Sequence, residues 1–186
     1  MSEFKAPSSE EVTASINENG ENIIPSPIQL PDWLCIFLPC LKNLPVMIAY
    51  RKIQSDSAIL WRTVPGRPEE QDWVGYDSDA CIIYDTIKLT PGTIIPADML
   101  VSKCSAGSLV DSVLVTGESS LPVTVNSTLY AGQAVKQGEI VGRVTAVGKG
   151  LFVSKLIKEG KFPAKVEGDD DEEVGLLNEK DEEKGL

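Results

Sequence analysis

The chain contains no histidine, and aromatic residues make up only 6% of it. Without imidazole there is no Ser-His-Asp triad, no Cys-His pair, no histidine zinc site and no histidine proton shuttle. Chemistry here must run on carboxylates, lysines, hydroxyls or thiols. Cysteine is scarce too: Cys35, Cys40, Cys81 and Cys104 are too few for a disulfide scaffold, and no C-x-x-C pair points to zinc or redox work. Reduced, partly buried thiols on a cytosol-facing protein are expected, with no metal site.

Positive charge is also short, with a net charge of −11. Its distribution matters more than its sum. Residues 166–186 carry ten acidic side chains against Lys180 and Lys184, and residues 1–22 carry five against Lys5, which leaves the segment 23–165 at +1. A neutral body between acidic ends has no basic stripe for nucleic acid, so no nucleic-acid partner is expected. An uninterrupted membrane span is missing as well. The stretch 33–50, WLCIFLPCLKNLPVMIAY, is long enough, but Lys42 at its centre costs about 2.5–3.5 kcal/mol in a bilayer, and Pro39, Asn43 and Pro45 add to that. A short buried or interfacial helix is expected there, with peripheral membrane contact left open.

What is present is a run of short β-branched segments between Gly, Pro, Asp and Ser. SAILWRTV (57–64), ACIIY (80–84), TIKLT (86–90), TII (93–95), MLVSK (99–103), SLVDSVLV (108–115) and EIVGRVTAV (139–147) read as strands. Strands this short and closely spaced point to a mainly β domain, a roll or sandwich. A short helix over 151–158 is expected to close it. The length of 186 residues suits one domain with tails. Residues 1–27 are expected as a disordered tail, 28–56 as a helical entry segment, 57–160 as the β domain and 161–186 as an acidic disordered tail.

Chemistry concentrates between Asp85 and Gly148. PGTIIPAD (91–98) is succeeded by VDSVLVTGESSLPV (110–123), YAG (130–132) and VTAVGKG (144–150). Taken alone, Thr116-Gly117-Glu118-Ser119 reads equally as a tight turn between strands, with Gly117 supplying the permissive backbone. AGQAVKQGEIVGRV (131–144) also resembles one hairpin of a biotinyl or lipoyl carrier domain, although Lys149 in VGKG is a poor match to the modified lysine of such carriers.

The order and spacing of the pieces resembles the actuator domain of P-type ATPases, the pumps that form an aspartyl-phosphate intermediate. Pro91 and Gly92 match the family's turn, and Pro96, Ala97 and Asp98 match its P-A-D segment. Asp111 lies five residues before Thr116, as in D-E-S-x-L-T-G-E-S, while Pro122 and Gly132 match the family's proline and glycine beyond that loop. Upstream, LKNLPVMIAYRK (41–52) is similar to the entry segment of the heavy-metal branch. Two departures stand out: D-E-S-x-L reads D-S-V-L-V here, and Met99 replaces the glycine that comes after P-A-D.

The resemblance implies a distorted jelly-roll and a role for Glu118 as the base that positions water against an aspartyl phosphate, with Thr116, Gly117 and Ser119 shaping its loop. Asp98 and Asp111 are expected to serve the fold. The 186 residues hold no D-K-T-G-T phosphorylation motif and no Walker-type glycine loop. ATP and Mg would therefore be bound by family domains other than this one, and no cofactor is expected on it. A freestanding accessory or regulatory module, or a transporter fragment, is expected, partnered by a P-type ATPase or its phosphorylation domain at the cytosolic face of a membrane. The alternative is an acyl-phosphate hydrolase that acts in trans through Glu118.

Overall fold

Strand β1 (Ser57–Val64) shows the alternation that builds the domain: Ala58, Leu60 and Arg62 turn inward while Ser57 and Ile59 face out. A turn at Pro65 and Gly66 returns the chain as β2 (Arg67–Asp77), and the two strands pair antiparallel, with Trp61 opposite Trp73 and their rings 5.3 Å apart. The computed structural model describes residues 4–27 and 44–164. The apolar stretch through residue 43 and the acidic run from 165 lie outside the described residues, as do Cys35 and Cys40.

Beyond this hairpin come β3 (Thr86–Leu89), β4 (Asp98–Cys104), β5 (Leu109–Ser112), β6 (Glu118–Pro122), β7 (Thr128–Leu129), β8 (Ala134–Gln137) and β9 (Ile140–Ala146). They form a six-stranded sheet in the order β2-β1-β3-β9-β4-β7 and a three-stranded sheet in the order β6-β5-β8. The protein is mainly β, as expected. Leu60, Ile87, Met99, Val101, Ile140 and Val144 of the larger sheet bury against Val110 and Val135 of the smaller one. Among the described residues four short α-helices flank the sheets: α1 (Ser9–Asn19), α2 (Leu44–Lys52), α3 (Val113–Thr116) and α4 (Phe152–Lys158), the last at the place expected.

Several expectations give way to local chemistry. ACIIY is not a strand. The buried Asp85 carboxylate accepts from the backbone N–H of Ile82 at 2.9 Å and from Arg62 at 3.1 and 2.6 Å, so residues 82–85 fold into a turn around it. TII makes only one bridge, Ile94 to Ala134, because the flanking Pro91 and Pro96 offer no N–H to a ladder. Residues 131–144 do not form one hairpin: β8 pairs with β5 and β9 with β3 and β4, in different sheets. Strand β2 has no sequence signal, because RPEEQDWVGYD shows no apolar alternation, and as the outermost strand it needs none.

The largest correction lies before residue 28. In place of a disordered tail, Ser8 caps α1 in a reciprocal capping box with Glu11. Beyond α1 runs a strap in which Asn22 is buried, its side-chain N–H2 donating to the carbonyls of Ser78 and Pro96 at 2.9 Å each and its oxygen accepting from Gly148 N–H at 3.2 Å. Polar composition hid this, because one fully satisfied asparagine does the work of an apolar anchor.

Candidate functional site

Strand β5 ends where its own side chains divert it. Asp111 Oδ1 accepts from the backbone N–H of Val113 at 3.0 Å, which bends the chain out of the sheet and into the single turn of α3. That turn stops at Gly117, whose φ of 85° is left-handed and whose N–H returns to the Val113 carbonyl at 3.1 Å. The chain re-enters the small sheet at Glu118, which lies opposite Ser112. Thr116, Gly117, Glu118 and Ser119 are thus the crest between β5 and β6.

On this crest Glu118 and Ser119 are exposed. Among the described residues no hydrogen bond or ion pair reaches the Glu118 carboxylate, so its location is set by its backbone alone. Thr116 is held from below: its hydroxyl donates to Ser112 Oγ at 2.8 Å, and Ser112 Oγ also accepts from Gln133 Nε2 at 2.7 Å. Farther along β6, Ser120 has a φ of 61° and accepts from Lys136 Nζ at 3.2 Å, while Lys136 also pairs with Asp111 Oδ2 at 3.1 Å. The bond from the Val113 N–H, and after it Lys136, hold the Asp111 carboxyl below its ordinary value. Pro122 ends the strand opposite Leu109.

The P-A-D segment sits apart from the crest, inside the domain. Asp98 is 6% exposed, and its two oxygens accept from the backbone N–H of Ala131 at 2.9 Å and of Phe152 at 2.7 Å. Burial raises its affinity for a proton, and the two amides and Lys155 oppose that rise. Ala97 is fully buried, and Gly92, at a φ of 88°, donates its N–H to Val135 at 2.8 Å in the turn after Pro91. Between Asp98 and the crest stands Gly132. A Cβ on it would lie 2.8 Å from Ile53 Cβ and 3.4 Å from Val115 Cγ2, so the residue just after α2 and the core side of α3 close over it.

The motif residues therefore form two groups joined through Gly132, one inside the domain and one on its surface. Ser112 and Gln133, buried beneath the crest, and the partly exposed Lys136 beside it support the surface group and lie outside the residues that the sequence motifs mark. Ser112 occupies the second position of the departed D-E-S-x-L, which was the one available signal; Gln133 and Lys136 had none. No group of residues that could hold a metal ion occurs among the described residues.

A mainly β body with a T-G-E-S crest between two strands and an internal P-A-D stitch defines an actuator-type domain. The family model for the P-type ATPase actuator domain matches residues 63–161, and the chain belongs to this family. It is similar to a protein of Dictyostelium discoideum named "Probable plasma membrane ATPase", 38% identical over 86 residues that make up 45% of this chain and 8% of that one. It is also similar to a protein of Methanocaldococcus jannaschii provisionally named a cation-transporting ATPase, 36% identical over 76 residues, 40% of this chain and 9% of the other. A zinc-transporting PIB-type ATPase crystallised in the E2.Pi state resembles it at 18% identity and a TM-score of 0.47, over 60% of this chain and 17% of that one. The chain spans less than a tenth of the length of these two curated relatives.

Proposed function

We propose that the domain presents Glu118 to the aspartyl phosphate of a P-type ATPase phosphorylation domain and helps to hydrolyse it. The observation that carries the reading is the contrast on the crest: an exposed carboxylate, unpaired among the described residues, on a backbone fixed by Gly117 and Thr116. A carboxylate so held accepts a proton from water as the water oxygen bonds to phosphorus. The bond between phosphorus and the acyl oxygen breaks, the partner's aspartate leaves as a carboxylate, and phosphate departs. The phosphorylated aspartate and the ATP and Mg that generate it belong to domains whose motifs these 186 residues do not contain. In this reading the domain works at the cytosolic face of a membrane, on an ATPase of the kind its relatives are named for, a plasma membrane ATPase and a cation-transporting ATPase.

The test uses a plasma membrane ATPase with its own actuator segment excised, phosphorylated with labelled ATP. Added in trans, the full chain should accelerate loss of the label, and Glu118→Gln should remove about 10²-fold of that acceleration while phosphoenzyme formation stays unchanged. Equal acceleration by wild type and Glu118→Gln would overturn the assignment.

A further inference from the structure

The crest that carries Glu118 rests on a polar relay that is buried at Gln133 and Ser112 and surfaces at Thr116, and we infer that Gln133 is a positioning residue for Glu118, acting through the hydroxyls of Ser112 and Thr116. The inference rests on the proposed role of Glu118 as the hydrolytic base. Gln133 is 2% exposed and both ends of its amide are used: Oε1 accepts from the backbone N–H of Tyr130 at 2.8 Å, and Nε2 donates to Ser112 Oγ at 2.7 Å. The first bond fixes which end of the amide faces Ser112, because only an oxygen can accept from the Tyr130 N–H. Ser112, 1% exposed, then receives the Thr116 hydroxyl at 2.8 Å. Three side chains thus connect the turn at Tyr130 and Ala131, whose N–H is stitched to Asp98, with the first residue of the T-G-E-S crest.

A buried amide is a costly way to fill space. An apolar side chain of the same length would occupy the position without desolvating a polar group, so the amide supplies direction rather than volume. The direction it supplies ends on Thr116. One residue later the chain turns through the left-handed Gly117, and Glu118 has no side-chain anchor of its own among the described residues. A turn of four residues has little helical stability to hold it. Rotation of Thr116 would therefore swing the carboxylate, and the Gln133 relay opposes that rotation through the 2.8 Å bond to Ser112 Oγ, beside a longer 3.5 Å contact of the same hydroxyl with the Ser112 carbonyl. Lys136 acts from the opposite end of the crest on Ser120, but through exposed atoms that water competes for.

Gln133→Met keeps length and removes both hydrogen bonds. In the full chain, amide exchange at Gly117, whose N–H closes α3, should quicken about 10-fold in Gln133→Met, while exchange in β3 and β9 keeps its wild-type rate. The distinguishing readout is coupling. Thr116→Val cuts the relay at its other end, so Gln133→Met made on that background should add little further quickening, whereas a general packing defect would add in full. Additive effects, or a Gly117 amide indifferent to Gln133→Met, overturn the inference. If Gln133→Met loosens the whole domain, the milder Ser112→Ala provides the same comparison from the middle of the relay. In the phosphoenzyme assay, Gln133→Met should slow dephosphorylation about 10-fold through kcat, with a smaller change in the chain concentration giving half-maximal effect. Failure of wild-type chain to accelerate label loss overturns the role of Glu118, and the exchange experiment then still decides whether Gln133 positions the crest.

Discussion

Asp98 and Glu118 come from the same motif run, carry the same functional group and end in opposite surroundings. Asp98 is buried with a backbone amide on each oxygen, while Glu118 stands exposed and unpaired among the described residues. The difference separates two uses of a carboxylate. One that is buried, with a main-chain N–H on each oxygen, stitches β4 to the turn at Ala131 and to the start of α4 and is closed off from an outside reactant. One whose place is determined by backbone geometry, with its oxygens free, has capacity for an outside proton. In the proposed function, fold and chemistry thus fall to different acids only twenty residues apart.

This comparison breaks most visibly at its buried side. Asp98→Asn keeps the shape but turns an N–H2 toward one of two amides that can only donate, and should cost about 3–4 kcal/mol in urea unfolding. Glu118→Gln should leave the unfolding midpoint where it is. If the two variants are equally stable, the division of labour between the acids is wrong.

The link between the two groups is tested at Gly132. Alanine there must hold a φ of 88° and bring its Cβ within 2.8 Å of Ile53, so Gly132→Ala should cost about 2–3 kcal/mol from backbone strain and overpacking together. Because the displaced atoms are those of Ile53, just after α2, and Val115 of α3, faster exchange should spread to the Gly117 amide. A variant as stable as wild type would mean that α2 and α3 do not close over this glycine.

The sequence carried the crest and the stitch further than it carried their supports. P-A-D and T-G-E-S are contiguous strings whose spacing survives in one chain, and strands such as 57–64 and 140–146 announce themselves by alternation or β-branched content. Gln133 and Asn22 have no such signal, and Ser112 only its place in the departed D-E-S-x-L. Each is a polar residue whose burial is made tolerable by at least one partner twenty or more residues away in sequence, and composition counts such residues as surface. Asp85 shows the same limit from the other side: ACIIY has strand composition, but the buried pair with Arg62 and the N–H of Ile82 bend it into a turn. Periodicity reads apolar contacts; it does not read which carboxylate will gather backbone amides.

The smallest expected effect concerns the acid between the two extremes. Asp111 is about one-third exposed, shares one oxygen with the Val113 N–H and the other with Lys136, and its carboxyl lies below the ordinary value for the first of these reasons more than the second. A carboxyl depressed in the folded state stabilises the fold above its unfolded value, and that stability disappears as pH falls through the folded one. Asparagine in its place keeps an oxygen for the Val113 N–H but loses the charge and its titration. Wild type should therefore exceed Asp111→Asn in stability at pH 6 by no more than about 0.5–1 kcal/mol, since water screens the Lys136 pair, and the excess should shrink from about pH 4 downward. Lys136→Met separates the two contributions: it removes the ion pair while leaving the Val113 bond, so a pH-dependent excess over Asp111→Asn should survive it in reduced form. An excess that stays constant between pH 6 and pH 3 would show that the bend from β5 into α3 depends on the shape of Asp111 alone, and that its charge has no part in raising the crest.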